Sequence, residues 1–142
     1  MPANAALYLP KDAIDLTHVF ETARAHKRLF GRVTHYDVTL GADVVRFNVM
    51  PADEVAGHVS GCQRYIDSLD QDATRKRDAC AAIGLTRCVL GLVTAREFED
   101  NDAIWQALFR IADAYDGYVF VHGSVLLPSG AVIAGPLLEE SS

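Results

Sequence analysis

The sequence predicts an α+β fold, with one mixed or mostly antiparallel β-sheet and about four helices packed on it. Runs of alternating or β-branched residues recur along the chain, and between them the apolar residues repeat at three- and four-residue steps. Half of the residues are hydrophobic and 23% are charged, which is typical of a globular chain. A length of 142 residues suits one ordinary domain, so we expect residues 1–142 to form a single domain.

The first 28 residues predict a strand followed by a helix. Residues 5–9 form an apolar, β-prone run that Pro10 ends. An amphipathic pattern follows and predicts a helix that ends near Arg28, with apolar positions at Leu16, Val19, Phe20 and Ala23.

Residues 35–40 and 44–49 predict a β-hairpin, because both runs are β-rich and a short Gly-containing loop separates them. Two helical patterns follow, over residues 51–69 and residues 73–83. Gly84 is predicted to take the left-handed position after the second helix.

The second half of the chain predicts a strand, a helix and a series of short strands. Residues 86–94 are apolar almost throughout, which indicates a central strand buried on both faces. A wide apolar stripe predicts a helix from about Asp102 to Tyr115, which Gly117 closes. Short strands are predicted at residues 118–121, 124–127 and 131–134.

Cys62, Cys80 and Cys88 contain no CxxC pair, and we interpret them as reduced, mostly buried thiols. The first residues, MPANAALYLPKDAID, lack a basic region before an apolar core, and no apolar run of about 18 residues occurs. We therefore expect a cytoplasmic protein without a signal peptide or a membrane span.

The negative charge is concentrated in the last third of the chain. Residues 97–142 contain eight acids and one base, a net charge of −7, whereas residues 1–96 contain eleven acids and twelve bases, a net charge of +1. The overall charge of −6 disfavours direct nucleic-acid binding, because neutralising phosphates requires a basic face.

The stretch TAREFEDND, residues 94–102, places four carboxylates within six positions. A calcium loop needs alternating acids and a glycine at its turn, and no glycine lies between Gly91 and Gly117, so we predict no metal site here. Asp100 or Asn101 is predicted to cap the following helix. One cap needs one such residue, so capping leaves most of these acids unexplained.

Catalytic signatures are absent from the sequence. The chain contains neither the GxxxxGK[ST] nor the GxGxxG string, and His122-Gly-Ser124 lacks the GxSxG frame of a nucleophile elbow and is interpreted as a hairpin loop. His58 and Cys62 form an i, i+4 pair that could be at most half of a zinc site, and we interpret the histidines as solvated or satisfied side chains. We predict no catalytic, cofactor-binding or metal-binding residue, and no enzyme.

A resemblance lies mainly in residues 86–135. The segments that carry it are Gly91-Leu-Val-Thr, Phe98-Glu-Asp, the apolar stripe Ile104, Leu108, Phe109, Ile111 and Ala112, then Asp116-Gly-Tyr-Val-Phe120, with Leu126, Leu127 and Gly130 behind. With these the chain resembles small bacterial proteins that look like immunity proteins of polymorphic toxin systems, including contact-dependent growth inhibition. The resemblance implies a cytosolic antidote without a cofactor, which binds the toxin domain of a cognate effector, often a nuclease, and blocks its active site or substrate surface.

The acidic third of the chain suggests where such a toxin domain would dock. A nuclease presents a basic surface to its nucleic acid, and an acidic inhibitor complements that surface and associates faster. The expected partner-binding residues are Glu97, Glu99, Asp100, Asp102, Asp113 and Asp116. A plain solvated helix flank is the competing interpretation. The alternative function is a small-molecule-binding domain or a small hydrolase, whose pocket would be lined by His122, Ser124 and an acid.

Overall fold

The computed structural model describes residues 5–28, 31–94 and 102–138. Within these ranges it contains eight strands, three α-helices and one short 3₁₀ helix at Leu16–His18. The strands are β1 (Ala5–Leu9), β2 (Ala23–Lys27), β3 (Val33–Leu40), β4 (Asp43–Val49), β5 (Cys88–Val93), β6 (Tyr118–Val121), β7 (Ser124–Leu126) and β8 (Val132–Ala134). The helices are α1 (Ala52–Asp67), α2 (Ala73–Ile83) and α3 (Asp102–Ala114).

All eight strands belong to one sheet, in the order β2-β3-β4-β5-β1-β6-β7-β8, and every pairing is antiparallel. The α+β class is therefore confirmed, and the sheet is antiparallel throughout its described strands. Strand β5 lies fourth in the order, between β4 and β1, so its prediction as a central strand is also confirmed. Its neighbouring residues Val89 and Leu90 are both buried, one towards each face of the sheet.

The helices cover the two faces of the sheet differently. Helix α3 packs on one face through a fully apolar side that includes Ile104, Leu108 and Ile111, in the same cluster as Leu7 and Phe47. Helices α1 and α2 pack on the other face through Val59, Ile66 and Ile83, beside Tyr8 of β1 and Val125 of β7. The sheet is thus the middle layer of three.

Helices α1 and α2 leave part of the sheet face on their side uncovered. Their buried cluster draws on β1, β5, β7 and β8, and contains no residue of β2, β3 or β4. On these three strands the other side chains, such as Tyr36 and Val45, point into the α3 side of the core. We call the uncovered set the open face; on these strands it consists of Arg24, His26, His35, Asp37, Thr39, Val44, Arg46 and Asn48.

The predicted helix before Arg28 is wrong. Only the 3₁₀ helix Leu16–His18 forms there, and residues 23–27 pair with β3 as the edge strand β2. The apolar residues Leu16, Val19 and Phe20 are buried by this turn and the loop after it, so their spacing does not require a helix. The described residues therefore contain three α-helices instead of about four.

The remaining elements agree with their predictions apart from end effects. The β3–β4 hairpin, the helices α1 to α3 and the strands β6 to β8 all lie where the patterns placed them. The left-handed backbone predicted for Gly84 is wrong: this residue ends α2 with a right-handed backbone (φ −62°). Among the described helices, none is both long enough and apolar enough to cross a bilayer.

Candidate functional site

Three of the six predicted partner-binding acids, Asp102, Asp113 and Asp116, lie in helix α3 or directly after it. Glu97, Glu99 and Asp100 lie outside the described residues, as does the predicted cap residue Asn101. Asp102 is the first residue of α3, and only its backbone is described. The structure therefore fixes the positions of the last two acids, Asp113 and Asp116, and of the helix start.

Asp113 and Asp116 lie at the opposite end of α3 from Asp102. Asp113 is exposed in the last turn, about 16 Å along the helix axis from Asp102 and on the same side, because eleven residues span three turns. The side chain of Asp116 is 78% exposed and lies 3.6 Å from Lys11 Nζ, which is itself exposed. Asp102 and Asp113 thus lie at opposite ends of α3 and do not belong to one compact cluster.

Asp116 also ends α3. Its backbone is left-handed (φ 56°), and the next N–H, of Gly117, donates to the carbonyl of Ala112 at 2.8 Å. This bond is the six-to-one contact of a Schellman motif, with Asp116 at its left-handed position. The sequence had assigned the end of the helix to Gly117, yet this glycine is needed for space: an added Cβ would lie 2.5 Å from Leu9 Cδ2.

The segment His122-Gly-Ser124 contains the two-residue hairpin turn between β6 and β7, as predicted. His122 and Gly123 both have positive φ, 51° and 72°, which is the type I′ geometry that joins antiparallel strands. Ser124 is fully buried, and its Oγ accepts a hydrogen bond from the Leu137 N–H at 3.0 Å. The serine hydroxyl therefore holds the chain after β8 in place and does not face solvent.

An open concavity of about 380 Å³ lies beside this turn. Its walls include Tyr8, His58, Phe120 and His122, and no acid is found among its described lining residues. The Tyr8 hydroxyl and His58 Nε2 are hydrogen-bonded at 2.8 Å, and burial raises the pKa of Tyr8 well above its ordinary value. His58 is thus a satisfied side chain, as the sequence predicted.

The open face carries a compact group of ionisable side chains. His26 on β2 and His35 on β3 are register partners, and their rings stack with centroids 4.4 Å apart. Asp37, two residues further along β3, places Oδ2 3.0 Å from His26 Nε2 and 3.9 Å from His35 Nε2. Arg46 on β4, the register partner of Asp37, donates from Nε to Oδ1 at 3.0 Å and from Nη2 to Oδ2 at 3.4 Å.

The electrostatics of this cluster follow from its neighbours. The hydrogen bond from Arg46 is the main cause that lowers the pKa of Asp37, so the carboxylate stays ionised. Desolvation, together with the nearby charges of Arg46 and His26, lowers the pKa of His35 and favours its neutral imidazole. The neighbours therefore favour a charged Asp37 carboxylate beside a neutral His35 imidazole.

Sequence reasoning missed the cluster of His26, His35 and Asp37. The sequence contained part of the signal, because His35 and Asp37 are two residues apart on a predicted strand and must therefore share a face. His26 was assigned to a helix, so its pairing with His35 could not be foreseen. Among the described residues this is the one group of three histidine, cysteine or acidic side chains close enough to hold a metal ion, and no ion is included in the structure.

Comparisons of the chain with protein-family models, curated proteins and solved structures give no match.

Proposed function

We propose that the protein is a cytosolic immunity protein, which binds the toxin domain of a cognate effector and neutralises it by occluding the active site or the substrate surface. The toxin is proposed to be a nuclease, and the inhibitor performs no chemistry itself. The proposal rests on the sequence resemblance and on the acidic last third of the chain. The structural observation that supports it most is the exposure of Asp113 and Asp116.

Both carboxylates are available to a partner. The opposite side of α3 is fully buried against the sheet, so this helix presents a polar surface from a rigid base. The contact of Asp116 with Lys11 is exposed on both sides and contributes little to stability. A basic toxin surface can therefore replace Lys11 without loss to the fold. Glu97, Glu99, Asp100 and Asp102 are proposed to extend the same docking surface towards the start of α3.

Charge complementarity gives this surface a physical role. A nuclease has a positive surface for phosphates, and an inhibitor with a net charge of −6 is attracted to it over about a Debye length. Such attraction raises the association rate more than it raises the final affinity. The proposed interface therefore predicts fast, salt-sensitive binding.

A small-molecule-binding domain or a small hydrolase remains the second candidate. The concavity beside Tyr8 and His122 favours it, because its volume is near the lower end of the range for ligand pockets. A hydrolase that uses Ser124 as its nucleophile is not supported, because the Ser124 hydroxyl is buried and accepts a hydrogen bond from the Leu137 N–H. Binding of a small apolar or aromatic ligand without chemistry is the version that the concavity supports.

The first experiment examines the adjacent upstream gene. If it encodes a large secreted protein with a variable C-terminal domain, that domain is purified and mixed with this protein. We expect a one-to-one complex, loss of the domain's nuclease activity, and protection of cells that co-express both proteins. A metabolic operon, or no complex with the neighbouring domain, would contradict the proposal.

The second experiment tests the docking surface. The double variant Asp113→Asn, Asp116→Asn should bind several-fold more slowly and with a weaker dependence on salt. Asn is chosen because it tolerates the left-handed backbone of Asp116. The matched control, Asp67→Asn with Asp70→Asn, removes the same charge at the exposed end of α1, across the sheet. Equal kinetics for the two double variants would exclude the α3 surface.

The same measurement covers the remaining four acids. Replacement of Glu97 and Glu99 by Gln, and of Asp100 and Asp102 by Ser, which can still cap a helix, should change the stability of the fold by no more than about 0.5 kcal/mol per substitution. It should slow association with the toxin domain, as the double variant Asp113→Asn, Asp116→Asn does. Unchanged association would remove this segment from the interface.

A further inference from the structure

We infer that His26, His35 and Asp37 form a binding site for one Zn²⁺ ion on the open face, independent of the α3 surface. Two imidazoles and one carboxylate are a donor set that Zn²⁺ takes in open sites, where water fills the fourth position. The candidate ligand atoms of the three residues all lie within 4.8 Å of one another. Nothing in the proposed toxin binding requires this site.

The distances suit a tetrahedral ion after a small closure. Bonds of about 2.0–2.2 Å to zinc place tetrahedral ligand atoms on the order of 3.3 Å apart. His26 Nε2 and Asp37 Oδ2 are already 3.0 Å apart, and His35 Nε2 lies 3.9 Å from the same oxygen. The widest separation has to shrink by roughly 1.5 Å from the 4.8 Å limit, which side-chain rotation can supply.

The strands hold the ligands on one face. His35 and Asp37 are two residues apart on β3, so their side chains point to the same side, and His26 is carried opposite His35 by the β2–β3 register. The register shifts between His26 and Lys27, and such irregularities commonly re-aim a side chain next to a functional site. A sheet positions ligands more rigidly than a loop does.

Two contacts of the Thr34 hydroxyl are the basis on which we assign the tautomer of His35. The Thr34 hydroxyl donates its hydrogen to the carbonyl of His26 at 3.2 Å, and its oxygen lies 3.1 Å from His35 Nδ1. Because the hydroxyl hydrogen is used, the oxygen accepts from His35 Nδ1–H, and the lone pair of a neutral ring is then on Nε2. In that tautomer the Nε2 lone pair and the Asp37 carboxylate can both donate electrons to a cation bound between them. A second partner of this kind is usual for histidines that bind metals.

Arg46 opposes the metal, and this opposition makes the inference testable. Its guanidinium binds both oxygens of Asp37, at 3.0 and 3.4 Å, and its charge repels a divalent ion. Coordination through Oδ2 alone leaves the bond between Arg46 Nε and Oδ1 intact. If the cluster were only a structural network, Arg46→Gln would weaken it; if it binds zinc, the same variant should bind Zn²⁺ more tightly.

The experiment is a calorimetric titration of the untagged protein with Zn²⁺, with native mass spectrometry for stoichiometry. We expect one Zn²⁺ per chain and no binding of Mg²⁺, which prefers oxygen ligands. His26→Gln and His35→Gln should each reduce the affinity by tenfold or more, and Thr34→Val by about 10- to 100-fold. Arg46→Gln should increase it. Circular dichroism verifies that each variant is folded.

His18 provides the matched control. Its Nε2 lies 3.7 Å from Asp15 Oδ2, so it is also a histidine beside a carboxylate, and its side chain is 80% exposed. His18→Gln should leave Zn²⁺ affinity unchanged. No saturable Zn²⁺ binding by the wild type, or equal losses in His18→Gln and His26→Gln, would overturn the site.

Co²⁺ gives a readout that does not depend on the variants. Its visible absorption differs between tetrahedral and octahedral coordination, so a tetrahedral spectrum from the wild-type protein that Zn²⁺ abolishes supports the inference. An octahedral, water-like spectrum would contradict it. Since these measurements need only the isolated protein, their failure would leave toxin binding unaffected, and failure of toxin binding would leave the site unaffected.

Discussion

Tyr115 and Asp15, one hundred residues apart in the chain, are joined by two hydrogen bonds through a single hydroxyl. The Asp15 N–H donates to Tyr115 Oη at 2.9 Å, and Tyr115 Oη donates to the Asp15 carbonyl at 2.9 Å. The pair ties the end of α3 to the start of the 3₁₀ helix Leu16–His18. It therefore anchors the loop that replaces the predicted first helix.

Tyr115→Phe should lower the free energy of unfolding by about 1–3 kcal/mol, because both backbone groups of Asp15 lose a part-buried partner. The control is Tyr118→Phe, because the Tyr118 hydroxyl makes no hydrogen bond within the described ranges; this variant should change stability by no more than about 0.5 kcal/mol. Urea unfolding measures both variants. An equal loss in the two would mean that the Asp15 bonds add nothing to stability.

Gly117→Ala should destabilise the protein by about 1–3 kcal/mol, because the new methyl overpacks the contact between the end of α3 and β1. The added Cβ would lie 2.5 Å from Leu9 Cδ2 and 2.6 Å from the Tyr8 carbonyl oxygen. Gly91 in β5 is the matched site, since no described atom lies within 4 Å of its added Cβ. Thermal unfolding should show Gly91→Ala unchanged or up to about 1 kcal/mol more stable. A neutral Gly117→Ala would show that Leu9 can move aside.

Prediction from the sequence succeeded where a pattern of apolar residues favoured one structure clearly over the others. Residues 88–93 are continuously apolar, which is typical of a strand covered on both faces, and β5 is such a strand. The wide stripe of α3 is similarly unambiguous. Leu16, Val19 and Phe20 have helical spacing too, but a turn followed by an edge strand buries them equally well. Pairing with β3 decided between these possibilities, and pairing is a long-range property.

The candidate sites show the same limit. The acids around α3 could be found by counting charge, because charge is a property of single residues. The cluster of His26, His35 and Asp37 depends on the register between β2 and β3, so it became visible only when the two strands were paired. The left-handed role at the end of α3 likewise fell to Asp116, because the packing of Gly117 on β1 was not encoded in any local pattern.

Asp37→Asn should flatten the acid limb of the stability curve. The hydrogen bond from Arg46 lowers the pKa of Asp37 in the folded state, so the folded protein binds this proton less readily than the unfolded chain does. The stabilisation is complete above the unfolded value, near pH 4, and is lost as the pH falls through the lower folded value. Unfolding free energies of the wild type should therefore drop below about pH 4, and those of Asp37→Asn should drop less.

The control for this pH series is Asp12→Asn, which removes a carboxylate whose contact with Arg87, at 3.3 Å, is exposed on both sides. Its acid limb should follow that of the wild type. If Asp37→Asn and Asp12→Asn had the same slope, the bond between Arg46 and Asp37 would have no share in the pH dependence.

The three thiols should differ in their reaction with a disulfide reagent such as DTNB. All are free; Cys62 and Cys88 are buried, whereas Cys80 is partly exposed and donates a hydrogen bond to the Gln63 carbonyl at 3.4 Å. Burial raises the pKa of all three, that of Cys88 to about 11. Because the thiolate is the reacting species and needs access, Cys80 should react first, and Cys62 and Cys88 should react only when the structure opens. In native buffer we expect one faster phase of one thiol, absent from Cys80→Ala and retained in Cys88→Ala.

Addition of urea should bring the two slow thiols to the rate of the first, since unfolding removes the burial that separates them. A fast phase that persists in Cys80→Ala would show that the α1–α2 cluster or the strand β5 opens more readily than its burial indicates.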